Sequence, residues 1–270
     1  MSRIETTFAA LKQRSETALI PFVTAGDPNL DVTAEIILTL VEAGADLIEL
    51  GVPFSDPMAD GPTIQASSER ALASGTTLSG VLQLVSEVRK KSEVPLILMG
   101  YYNPIFCYGA ERFALDAAAA GVDGLLLVDL PPEEITEIST VMHEAGIALI
   151  TLLAPTTPPE RMQRLAAAAE GYLYYVSMTG VTGVQKISPE DIRVAVEELK
   201  GMTTIPVGVG FGISTAEEAQ AVGAFADGVI VGSVLVKIIA ENGNSAELLP
   251  KVAKFVRELK GGLTSLTSVV

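Results

Sequence analysis

Two carboxylates and a set of small-residue turns are the parts of this sequence that could do chemistry. Glu49 sits inside the apolar run LIELG, where a carboxylate is costly unless it has a partner or a task. Desolvation there raises its pKa, the property a general acid or base needs near neutral pH. A structural glutamate bonded to nearby backbone is the other reading of the same pattern. Asp60 lies in VPFSDPMADGP, among Pro53, Pro57, Pro62, Gly51 and Gly61. An aspartate in such a segment either forms a turn or catalyses, and a loop so punctuated by Pro and Gly is a candidate lid. Further on come SMTGVTG (177–183), VGFGIS (209–214) and VGS (231–233). Backbone N–H groups of such small residues can approach an anion such as phosphate, and ISTAEEAQ opens a helix whose N-terminal dipole can face it. The alternative is that these glycines only turn the chain.

The remaining polar candidates carry less. With one His and one Cys in 270 residues, neither a zinc site nor a Cys–His dyad is expected. His143 lies in a helical pattern and reads as a solvated surface residue, whereas Cys107 reads as a small packing residue. Lys+Arg number 18 against 33 Asp+Glu, a net charge of −15, which excludes nucleic acid and anionic membranes as main partners. The first residues, MSRIETTFAALKQRSE, are too charged for a signal peptide, and no apolar run approaches the roughly 20 residues of a membrane span. A cytoplasmic location, or an organelle stroma, is expected.

These residues need elements to hold them. Apolar runs recur eight times, at 18–26, 46–51, 95–100, 124–130, 147–154, 171–177, 205–212 and 228–233. Most are continuously apolar rather than alternating, as in strands covered on both faces. Between them, 31–44, 79–92, 110–121, 132–146, 158–171, 188–201 and 214–228 place apolar residues at helical spacing, with capping residues at the start and Gly at many ends. The alternation predicts an α/β fold, a (β/α)8 TIM barrel with an extra N-terminal helix (1–16) and an extra helix after the second strand (63–75). An open doubly wound sheet is the alternative, disfavoured because no dinucleotide-type GxGxxG follows the first strand. Residues 1–270 read as one domain, with 261–270 a disordered tail.

The phrase ELGVPFSDPMADGPTIQ resembles one family, the tryptophan synthase alpha chain. The likeness continues through PFVTAGDP, MGYYNPI, VDLPPEE, LLAPTTP, SMTGVTG and GFGIS, in order and over most of the chain. It implies a lyase that cleaves indole-3-glycerol phosphate to indole and glyceraldehyde 3-phosphate by a retro-aldol reaction. By resemblance, Glu49 is the acid/base residue, Asp60 the second catalytic carboxylate, and Tyr174 a tyrosine that steadies the substrate. The phosphate site maps onto Gly183, Gly212, Gly232 and Ser233. Phe22, Ile64, Met99 and Leu126 map onto the walls of an indole pocket, and Thr182 onto a lid residue that closes near Asp60. Loops 53–62 and 177–186 would shut over the substrate. Where the family often carries an Arg after the Ser of the sixth-strand loop, this sequence has Met178 and Thr179.

The resemblance also implies no cofactor in this chain, and a beta subunit carrying pyridoxal phosphate in an α2β2 heterotetramer. Pro57, Asn103, Pro104 and Pro131 map onto the docking surface. A free-standing lyase and a non-catalytic sugar-phosphate-binding barrel are the competing readings. The intact Glu49 and Asp60 argue against the second.

Overall fold

The eight apolar runs become the strands of one parallel sheet: β1 (Ala18–Thr24), β2 (Ile48–Gly51), β3 (Leu96–Gly100), β4 (Gly124–Leu127), β5 (Ala148–Leu149 and Thr151–Leu153), β6 (Leu173–Val176), β7 (Val207–Gly210) and β8 (Gly228–Val231). This computed structural model describes residues 1–131, 133–176, 178–179, 185–186, 189–210, 212–243 and 245–264. Neighbouring strands pair in sequence order, and β1 joins β8 through Ala18↔Gly228 to Pro21↔Val231. The two stretches of β5 part at Ile150. The first pairs with β4 (Leu125↔Leu149) and the second with β6 (Leu152↔Tyr174), which carries the sheet round on itself as a barrel.

The helices are α1 (Arg3–Gln13), α2 (Leu30–Glu42), α3 (Pro62–Ala73), α4 (Leu78–Arg89), α5 (Tyr102–Tyr108), α6 (Ala110–Ala120), α7 (Thr136–Glu144), α8 (Pro159–Ala167), α9 (Pro189–Met202), α10 (Ala216–Gly223), α11 (Ser233–Asn242) and α12 (Leu248–Thr264). Their starts follow local chemistry: Ser2 and Glu5 form a capping box on α1, and Asn29 and Thr77 accept N–H bonds at the heads of α2 and α4. One apolar core fills the space between strands and outer helices, and a second fills the barrel itself. Ile4, Phe8 and Leu11 of α1 belong to the inner core with Ile20, Leu47, Ile97, Leu126, Ile150 and Tyr172. The extra N-terminal helix therefore plugs the N-terminal end of the barrel.

That end is also tied by four carboxylates placed alike. Asp46, just before β2, accepts the Leu19 N–H of β1 at 2.8 Å, and Asp123, before β4, accepts the Leu96 N–H of β3 at 2.9 Å. Glu170, before β6, accepts the Leu149 N–H of β5 at 3.1 Å, and Asp227, before β8, accepts the Val207 N–H of β7 at 2.9 Å. Each of the four has a basic neighbour: Lys260, Arg89, His143 and Lys200 respectively. Each acid thus clips an even strand to the odd strand before it, replacing lost hydration with an N–H and a basic group.

The tail expectation needs correction. Gly261–Thr264 complete α12, where Leu259 and Leu263 are buried and Gly262 lies so close to α10 that an added Cβ would stand 2.6 Å from the Ala216 carbonyl. Residues 265–270 lie outside the described residues. Helix α7 begins at Thr136, four residues after the expected start at 132, because turns occupy 133–135.

Candidate active site

The inward side chains of the strands rise in layers from α1 toward the C-terminal mouth, and Glu49 occurs where an aliphatic side chain would complete the inner core. Its register partners are Phe22 on β1 and Ile97 on β3. The side chain has no exposure to solvent. Oε1 accepts the Tyr172 hydroxyl at 2.5 Å, whereas Oε2 is buried without a hydrogen-bond partner among the described residues. Desolvation raises the Glu49 pKa to about 8, and the Tyr172 bond opposes that rise. The structural reading, a carboxylate bonded to neighbouring backbone, does not describe this group: its bond is to a phenol, and burial favours its protonated form.

Glu49 opens on a cavity of about 200 Å³ at the mouth, lined also by Phe22, Asp60, Ile64, Met99, Tyr174, Val176, Gly210, Gly212, Ile230, Gly232 and Ser233. Larger cavities exist: about 270 Å³ by the ends of β4 and β5, whose Asp129 accepts the Tyr102 N–H, about 430 Å³ beside α1 and about 500 Å³ between α7 and α8. Their carboxylates are already occupied: Glu16 by Arg14, Asp227 by Lys200, Glu133 by Arg161 and Arg164, and Glu170 by Leu149 N–H and His143. Chemistry, rather than size, selects the mouth.

Asp60 enters from the loop between β2 and α3. Its Oδ2 accepts the Tyr101 hydroxyl at 3.0 Å, and burial raises its pKa against that bond. Gln65, from the first turn of α3, donates to the Asp60 carbonyl at 2.9 Å and holds the loop's end. Tyr174 stands between the two acids. Burial, then Glu49, then Asp60 hold its phenol pKa well above the usual value, so it is a neutral hydroxyl. Two glycines make room for these rings. A Cβ on Gly210 would lie 2.5 Å from the Tyr174 hydroxyl, and one on Gly51 would lie 2.5 Å from Phe22 Cζ.

The end of the cavity expected to take an anion differs in one respect from the sequence expectation. The head of α10 is filled by its own Glu218, whose Oε2 accepts Ser214 N–H and hydroxyl and the Thr215 N–H, while Thr215 caps Glu218 N–H. Helix α11 instead begins at the cavity: Gly232 is its N-cap, no side chain caps it, and Ser233 is its first residue. The dipole available to an anion is therefore that of α11, with Gly212, in the left-handed region at φ 60°, across the opening.

Of the residues expected in the pocket, Phe22, Ile64 and Met99 line the cavity, but Leu126 does not. It is fully buried in the inner core, paired with Met99 but among the side chains beneath the cavity. Thr182 and Gly183 lie outside the described residues. Of the expected docking residues, Asn103 and Pro131 are exposed and Pro57 and Pro104 half-buried, with exposed Met58 and Phe106 beside them in sequence. Cys107 is exposed rather than packed, because α5 turns that face outward; His143 is exposed as expected. Sequence reasoning missed Tyr101 and Tyr172. Tyr101 follows the last residue of β3, a signal that strand-end position could have supplied, whereas Tyr172 immediately precedes β6 in an apolar run and carried none.

A (β/α)8 barrel whose C-terminal mouth presents a desolvated carboxyl group beside a second carboxylate is an enzyme built for proton transfer. The family model described as Tryptophan synthase alpha chain matches residues 8–264. The tryptophan synthase alpha chain of Citrifermentans bemidjiense is 57% identical over 263 residues, 97% of this chain and 98% of that one. The alpha chain of Geobacter sulfurreducens is 55% identical over 260 residues, 96% and 98% of the two chains. Tryptophan synthase subunit alpha from Legionella pneumophila str. Paris shares the fold with a TM-score of 0.91 at 41% identity, covering 98% of this chain and 99% of that chain. The chain belongs to the tryptophan synthase alpha chain family, lyases that cleave indole-3-glycerol phosphate.

Proposed function

We propose that Glu49 carries both proton transfers of the cleavage, with Asp60 stabilising the ring between them. Glu49 starts protonated and gives its proton to indole C3, leaving positive charge on the ring nitrogen. Asp60, as a carboxylate, accepts the indole N–H and stabilises that charge. The Glu49 carboxylate then removes the proton of the hydroxyl on the adjoining side-chain carbon. The carbon–carbon bond breaks, its electron pair returns to the ring, and an aldehyde and indole result. Glu49 ends as it began. The observation that carries this reading is the buried Glu49, whose Oε2 has no hydrogen-bond partner among the described residues, lining the same cavity as Asp60.

Tyr174 steadies the substrate, and Phe22, Ile64 and Met99 form the apolar walls against the ring. Gly212, Gly232, Ser233 and the head of α11 hold the phosphate, with Gly183 and Thr182 assigned by resemblance to the phosphate site and the lid. A beta subunit bearing pyridoxal phosphate docks over Pro57, Asn103, Pro104 and Pro131 and receives the indole in an α2β2 assembly. The exposed Met58 and Phe106 support that surface. The chain acts as one domain in the cytoplasm. Indole release from indole-3-glycerol phosphate, followed with and without a tryptophan synthase beta chain, tests the assignment. Indole formation that the beta chain accelerates is expected; none in either mixture would overturn it.

A further inference from the structure

The Tyr101 hydroxyl has two partners in one loop. Tyr101 follows β3 and precedes α5, and its side chain is buried. Its hydroxyl donates to Asp60 Oδ2 at 3.0 Å and accepts the Ala59 N–H at 3.0 Å. Phe54, near the start of the same loop, lies against its ring with centroids 5.2 Å apart. One phenol, fixed to the rim of the barrel, thus holds the loop at both its start and its end. The loop's other ties include Gln65 to the carbonyls of Pro57 and Asp60, which set the backbone but leave the carboxylate unaimed.

We propose that Tyr101 is a positioning residue for the cleavage: its hydroxyl holds the Asp60 carboxylate and the Ala59 amide in one register, so that the acceptor for the indole N–H is aimed before substrate arrives. This rests on the role assigned to Asp60 above. The electrostatics agree. Burial pushes the Asp60 pKa up, and Tyr101 is the donor that opposes it among the described residues. The other titratable groups facing this pair are Tyr174, which Asp60 and Glu49 hold neutral, and Asp129, which acts on Tyr101 and accepts the Tyr102 N–H at the head of α5. None of these is a cation. Without the Tyr101 hydroxyl, Asp60 loses aim and binds its proton more tightly.

The test compares Tyr101→Phe and Asp60→Asn in the full chain, using pH profiles of indole formation from indole-3-glycerol phosphate. Tyr101→Phe should lower kcat about tenfold with KM within about twofold, and move the acid limb up by about one pH unit. Replacing Tyr101 site-specifically with difluorotyrosine, a stronger donor, should move that limb down. The Ala59 amide of Tyr101→Phe should exchange at least about tenfold faster in hydrogen-exchange measurements. An unmoved acid limb in both Tyr101 replacements, with Asp60→Asn inactive, overturns the proposal and leaves the Asp60 assignment intact. Normal turnover with an unchanged acid limb in Asp60→Asn overturns the assignment, and the proposal with it.

Discussion

The two ends of the barrel use the same residue types for opposite purposes. At the N-terminal end, Asp46, Asp123, Glu170 and Asp227 each accept a strand N–H and lie beside a basic side chain. At the C-terminal end, among the described residues, the Glu49 and Asp60 carboxylates accept only phenolic hydroxyls, and one Glu49 oxygen accepts nothing. A carboxylate held between a strand N–H and a basic side chain is mortar, since removing it leaves those partners unpaired; at Asp46 burial still raises the pKa, but the Lys260 charge and the Leu19 N–H oppose that rise. A carboxylate with partial compensation is stored reactivity: its charged form is costly, so it keeps a proton that a substrate can take. Strand β2 displays the contrast within four positions, Asp46 preceding it and Glu49 inside it.

The largest expected effect is at the mouth. Glu49→Gln should lower kcat at least about 10²-fold while the chain stays folded. Its stability should also respond to pH in a defined sense. The wild-type Glu49 pKa of about 8 exceeds its ordinary 4.5, so between those values the unfolded chain has released a proton that the folded chain retains. Wild-type stability therefore falls across that window, and Glu49→Gln removes the fall, gaining on the wild type by on the order of a few kcal/mol at about pH 8 in urea titrations.

Next comes the N-terminal end. Asp123→Ala leaves the Leu96 N–H unpaired and removes the charge partner of Arg89 and Arg3, although Arg89 keeps its bonds to the Gly121, Ser92 and Val94 carbonyls. It should cost about 3 kcal/mol in urea unfolding, with turnover per folded molecule unchanged. A smaller effect is expected from Gly51→Ala. Its Cβ displaces the Phe22 ring, so KM should rise about tenfold with kcat little altered in steady-state kinetics. The smallest concerns the net charge of −15, which opposes capture of an anionic substrate. Modest salt should raise kcat/KM by no more than about threefold.

How much of this was legible in the sequence follows from the physics of each part. The eight strands were visible because burial on both faces demands continuous apolar runs such as LILMG and GLLLVDL. Glu49 was visible for the converse reason, a charge where the pattern forbids one. Helix α12 was not among the expected helices, and its last turn fell in the tail expected to be disordered. Pro250 falls in the first turn, where it is tolerated, and Gly262 buys close packing on α10. Leu126, assigned to the pocket wall by resemblance, lies in the inner core with Met99 and Tyr174 packed against that core, a depth that a family motif does not show. The choice between α10 and α11 as the helix expected to face an anion depended on Glu218 folding back on its own cap, a local Thr215-x-x-Glu218 capping box that the reading from glycine spacing passed over.

The most direct test of the contrast is to make the same acid-to-amide change on either side of β2. Asp46→Asn and Glu49→Gln would be compared for urea unfolding and for indole release from indole-3-glycerol phosphate. Asp46→Asn should lose about 1–3 kcal/mol of stability and keep its turnover per folded molecule. Glu49→Gln should lose at least about 10²-fold in turnover and no stability. A Glu49→Gln protein that unfolds as easily as Asp46→Asn, or one that still releases indole at the wild-type rate, would contradict the account.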